Sequence, residues 1–149
     1  MNTTNTTDIF KQKALGGYLM CFMNHCPLRE QCLHWQVGQH MPQNPPTCIS
    51  VNPHGEQVAT ENCKLFRTTQ KQRMAKGMEG IFNDDMPKRL EPAIRNELIM
   101  RYNRTYFLEY RNGTRLIPPA MQQEIRDLFR QHGWTQEVHF DDYVEDYAW

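Results

Sequence analysis

Residues Thr105–Ile125 read TYFLEYRNGTRLIPPAMQQEI, and the fold class turns on how the Asn112-Gly113 pair inside them is read. As the turn of a β-hairpin the pair is well suited, because both residues accept positive φ and TYFLEYR is rich in β-formers. Alternation fails, however, where Tyr106, Phe107 and Leu108 follow one another. As the end of a helix, Asn103 caps the start, Gly113 takes the left-handed position past the end, and Phe107 and Tyr110 face inward with Tyr106. Pro118-Pro119 then opens the next helix, since proline suits the first helical turn. The helical reading is the expectation.

Working outward, Leu90, Ile94, Leu98 and Tyr102 recur every four residues and predict a helix with one buried stripe. Downstream, Met121, Ile125, Leu128, Phe129 and His132 share one face, with Gly133 as a stop. A helix is also expected from Thr68 through TTQKQRMAKGMEGIF. Another is expected from about Pro27 through LREQCLHWQVGQH, with Leu28, Cys32 and Trp35 on one face and Gly38 near its end. CISV (48–51) has strand character, with Ile49 and Val51 on one side and Cys48 and Ser50 on the other. The tail after Trp134 carries Phe140, Tyr143, Tyr147 and Trp149, too aromatic for a free acidic tail, so it should fold back onto the body.

The expected class is therefore mainly α, with a short β element near 48–58 and an N-terminal cysteine cluster. The expected organisation is a disordered lead (1–10), a cysteine-cluster unit (11–66) and a helical unit closed by its tail (67–149), together forming one integrated domain. Apolar residues make up only 39% of the 149, so the core should be small.

Net charge is zero but unevenly spread. Residues 88–133 carry nine Lys/Arg and five Asp/Glu, and residues 134–149 carry five acidic and no basic side chains. This basic excess is mild, and a solvated helix face accounts for it as well as a phosphate-binding one does. No apolar run approaches the ~20 residues of a membrane helix, and the start MNTTNTTDIF lacks the apolar stretch of a secretory signal. A cytoplasmic protein with reduced cysteines and no membrane partner is expected.

Those cysteines are spaced C-x4-C-x5-C-x15-C-x14-C, at Cys21, Cys26, Cys32, Cys48 and Cys63. Thiolates hold zinc tetrahedrally, and sets of four also hold iron–sulfur clusters. A chain with a small apolar core gains most from such a crosslink. The expected ligands are Cys21, Cys26, Cys32 and Cys63, because Cys48 lies in the strand-like segment while Cys63 lies in a loop free to bend. His25 and His34 are substitute ligands. Zinc and an iron–sulfur cluster both remain open, as do buried unligated cysteines.

Motifs for catalysis are missing: the sequence has no glycine-rich phosphate loop, no HExxH and no GxSxG. A Cys–His nucleophile pair has no distinguishing signal among five Cys and six His. The carboxylates Asp141, Asp142, Glu145 and Asp146 read as a solvated face before they read as a cation site.

Two resemblances extend this reading. Residues 102–133 resemble the helix-turn-helix of LacI-type repressors, in which a capped recognition helix ends in Asn-Gly ahead of a basic link. That likeness implies that Arg104, Thr105 and Leu108 face a DNA groove, with Arg111 and Arg115 on phosphates. It departs from the pattern at Glu97, Arg101 and Glu109. Residues 18–149 as a whole look like an uncharacterised family of small bacterial proteins with an N-terminal cysteine cluster. The carriers are CFMNHCPLREQCL, VNP followed by CKLF, YRNGTRLIPPAMQQEI and FDDYVEDYAW. This resemblance implies one integrated unit and groups Cys21, Cys26, Cys32 and Cys63, but carries no activity.

The functional expectation is a non-enzymatic intracellular protein with a structural cysteine-ligated metal site, regulatory through DNA binding by its helix pair. The alternatives are an iron–sulfur redox or sensor protein and a metal-free protein-interaction module. The partner, DNA or another protein, is left open.

Overall fold

A computed structural model describes residues 5–82 and 84–149. Five helices and one two-stranded antiparallel sheet make up the regular structure among them, so the chain is mainly α. Contacts divide it into two units, residues 1–70 with 147–149, and residues 71–146.

The first unit begins with α1 (Thr6–Leu15), capped by the Asn5 side chain, which accepts from Thr7 N–H. Residues 6–10 were expected to belong to a disordered lead. They are helical because Phe10 is buried at the start of the unit's core; residues 1–4 of that lead lie outside the described residues. Helix α2 (Leu33–Gln39) is shorter than expected. Cys32 is extended (φ −108°, ψ 123°) and interrupts the helix expected from Pro27, leaving only a 3-10 turn at Arg29–Gln31 ahead of it. The break arises because Cys32 bridges antiparallel to Thr68, with Leu33 N–H donating to Arg67 C=O and Thr69 N–H to Gln31 C=O. Leu33 and Val37 enter a core with Phe10, Ala14, Met20 and Tyr147.

The β element expected near 48–58 reduces to one parallel bridge between Met20 and Ser50. Ile49 is 57% exposed and Val51 8%.

The second unit holds the main correction. The helix expected from Thr68 is instead strand β1 (Gln72–Lys76), followed by a 3-10 turn at Glu79–Ile81. Local propensity favoured a helix, but the tail supplies a partner. Strand β2 (Asp142–Asp146) pairs with β1 so that Arg73 faces Glu145 and Lys76 faces Asp142. Opposite charges directly across a ladder contribute roughly 0.2–1 kcal/mol each. Tertiary pairing thus overrides propensity. The rest of the tail buries Trp134, Val138 and Phe140 in this unit's core.

The opening stretch is helical. Helix α3 (Leu90–Tyr102) buries Ile94 and Leu98 on the expected stripe. Helix α4 (Arg104–Asn112) starts one residue later: Asn103 Oδ1 accepts from Tyr106 N–H at 2.9 Å, and Gly113 follows at φ 79°. Phe107 and Tyr110 are buried, but Tyr106 is not. It lies outside, with the Arg115 guanidinium 4.3 Å above its ring. Helix α5 (Pro119–Gln131) buries Ile125, Leu128 and Phe129. The linker ahead of α5 is held to β1 by reciprocal Ala75–Ile117 backbone bonds of 2.9 Å each.

Candidate metal centre

Four of the five cysteines, drawn from three parts of the first unit, line one cavity: Cys21, Cys26, Cys32 and Cys63. Local backbone chemistry places each of them. Cys26-Pro27-Leu28-Arg29 forms a turn, with Arg29 N–H donating to Cys26 C=O at 3.3 Å and Leu28 at φ −97°, ψ 1°. Proline at the second turn position pre-sets the first bend, and the Leu28 angles are those of the third position of a type I turn. Cys63 opens a second turn, closed by Phe66 N–H to Cys63 C=O at 3.1 Å. The Cys32–Thr68 bridge brings the chain after Cys63 beside Cys32. Cys21 is tied to the start of α2 by its N–H donating to His34 C=O at 2.9 Å.

Apolar side chains complete the cavity, among them Leu28, Trp35, Val51 and Phe66. Leu28, Cys32 and Trp35 therefore face a common space, as their spacing suggested, although no continuous helix carries them. Cavity volume is about 20 Å³. Cys26 is buried, and Cys21, Cys32 and Cys63 are half-buried. Cys48 is exposed and stands outside the lining. Part of the wall is strained backbone, with Ala59 at φ 55°. The left-handed region costs a residue with a Cβ roughly 1–2 kcal/mol.

Electrostatics argues against Cys21 as an activated nucleophile. Burial pushes the Cys21 thiol above its ordinary value, and Cys32, Cys26 and Cys63 add in the same direction. An activated cysteine needs the opposite shift. Crowding four potential thiolates is unfavourable until a cation joins them, and a bound metal ion deprotonates its thiols outright.

Of the two substitute ligands, His34 lines the cavity and His25 does not. His34 Nδ1 is 2.6 Å from Leu19 C=O, so that nitrogen carries the proton and donates it. Burial holds the His34 ring below its ordinary pKa, so it stays neutral, and its ring stacks on Tyr18 with centroids 5.1 Å apart. A ring nitrogen donating to a backbone carbonyl is the usual second contact of a metal-bound histidine. Sequence reading gave no means of separating His34 from His25, because burial decides between them.

Residues singled out for DNA lie in the second unit. Arg104, Thr105, Leu108 and Arg111 are exposed along α4. Arg115 is engaged instead: its Nε donates to Glu109 Oε2 at 2.7 Å. Helices α3 and α4 are joined by the single residue Asn103. Asp141, among the tail carboxylates, accepts from Glu79 N–H at 2.7 Å and Gly80 N–H at 2.9 Å. It thus caps the 3-10 turn and is spoken for structurally. No helix among the described residues is long and apolar enough to cross a membrane.

The chain belongs to the family of unknown function DUF6078, whose model matches residues 1–149. No curated protein and no solved structure matches it.

Proposed function

We propose that this DUF6078 member is a non-enzymatic protein built around a thiophilic metal centre ligated by Cys21, Cys26, Cys32 and Cys63. The observation that carries the reading is the lining of one cavity by these four thiols, with the fifth cysteine left outside. With all four thiolates engaged in ligation no position is left for water or substrate, so the role is structural or electronic rather than hydrolytic. The small apolar core of the first unit, one cluster of six buried side chains among the described residues with a few partly buried neighbours, is the setting in which a metal crosslink matters most.

A thiol titration of the native full chain tests this. Cys48 alone should react rapidly with a thiol reagent, and four more thiols should become reactive once a strong chelator under denaturing conditions strips the centre. Five thiols equally reactive from the outset would refute the reading.

A second reading rests on the exposed row Arg104, Thr105, Leu108 and Arg111 along α4, which leaves two guanidinium groups and a leucine in solvent. It assigns α4 to a nucleic-acid surface. Retention of the chain on duplex DNA at low salt, unchanged by Arg104→Glu with Arg111→Glu, would remove it.

A further inference from the structure

The same four thiols bear on what they hold, and this inference rests on the metal-centre reading above. In a single-zinc site each sulfur lies about 2.3 Å from the ion, which sets the sulfurs roughly 3.8 Å apart. The space left between four such sulfurs has a radius of only about 0.5 Å, far too small for a water. The cavity here differs in two ways. Among the described residues no three Cys, His, Asp or Glu side chains gather closely enough to meet on one ion. Yet Cys21, Cys26, Cys32 and Cys63 surround a common space of about 20 Å³. A void above about 10–15 Å³ admits a water-sized body. The thiols therefore stand around a hole rather than converging on a point.

Ligands of a polynuclear centre are arranged in that way. The four cysteine sulfurs of a cubane cluster stand well apart, with the iron and sulfide core occupying the space between them. The wall chemistry agrees. Leu28, Trp35, Val51 and Phe66 present carbon, which excludes water from a core sensitive to hydrolysis and offers the bridging sulfides soft contacts. The Cys26-Pro27 turn adds a rigid start to the segment leading to Cys32. We propose that Cys21, Cys26, Cys32 and Cys63 hold an iron–sulfur cluster rather than a single zinc ion, its core filling the cavity they line.

The test is metal and acid-labile sulfide analysis of the full-length chain, produced and purified without oxygen from iron-replete medium, alongside Cys48→Ser and Cys63→Ser. Iron with matching sulfide, and a broad absorbance near about 400 nm that bleaches with dithionite, is the expected result. The colour should survive Cys48→Ser and be lost in Cys63→Ser. One zinc per chain, without sulfide, overturns the cluster and leaves the four-cysteine centre standing. Neither metal retained, both as isolated and after anaerobic reconstitution with ferrous iron and sulfide or with zinc, overturns both.

Discussion

Asn103 joins α3 to α4 under two opposing effects, and substitution separates them. Its side chain caps α4, accepting from Tyr106 N–H at 2.9 Å. Its backbone sits at φ 60°, ψ 163°, a region populated almost only by glycine. Asn103→Ala loses the cap, worth about 1 kcal/mol, and keeps the strain without a polar side chain to compensate it locally. The total expected cost is about 1–2 kcal/mol. Asn103→Gly loses only a few tenths of a kcal/mol of capping and relieves roughly 1–3 kcal/mol of strain. Against this, glycine adds about 0.5–1 kcal/mol of unfolded-state entropy. Glycine should therefore be neutral or slightly stabilising, about 2 kcal/mol better than alanine. With a urea slope of about 1–3 kcal/mol/M, the two variants should differ in unfolding midpoint by about 1 M. Far-UV circular dichroism in urea reads this directly. Equal destabilisation by both substitutions, or a worse result for glycine, would refute the reasoning.

Three further outcomes are expected. The Tyr18 hydroxyl is buried with no hydrogen-bond partner among the described residues, and burial pushes its pKa up to about 12. Tyr18→Phe removes that unpaired group, so it should leave stability unchanged or raise it by about 1 kcal/mol in chemical denaturation; a loss of that size would show a partner for the hydroxyl. His132 Nε2, 2.8 Å from the Glu97 carboxylate, holds that carboxyl below its usual range, with Arg101 adding to the effect. A depressed folded pKa stabilises above the unfolded carboxylate range and ceases to as pH falls through the folded value. The stability advantage of wild type over Glu97→Gln should thus be present at neutral pH and be lost as the pH falls below the ordinary carboxylate range; an advantage constant with pH would contradict the pairing. Stripping the metal centre should lower the thermal midpoint of the wild-type chain and leave Cys63→Ser unaffected, as differential scanning calorimetry would report. Equal midpoints for stripped and intact wild type would argue against a structural contribution.

Much of the second unit was legible in the sequence because its signals are local. The Leu90–Tyr102 stripe, the Asn103 cap and Gly113 each act within a turn or two of where they stand. Gln72–Lys76 was not legible, since its strand state depends on Asp142–Asp146, far along the chain, and its own residues favour a helix. Cys32 failed for the same reason: the break at that residue follows from its bridge to Thr68. The α1 helix was hidden by a polar lead in which only Ile9 and Phe10 signal burial. Among the cysteines, spacing and loop context suggested Cys63 over Cys48, and the cavity includes Cys63 and leaves Cys48 exposed. His25 and His34 were both candidates in the sequence, and only the fold separates them, since His34 lines the cavity and His25 does not.

Metal bound per chain, measured by elemental analysis on wild type, Cys48→Ser and Cys63→Ser purified side by side, tests the four-cysteine centre most directly. The account predicts the same metal content in wild type and Cys48→Ser, with most of it lost in Cys63→Ser. Metal retained by Cys63→Ser at the wild-type level, or lost on Cys48→Ser, would contradict it.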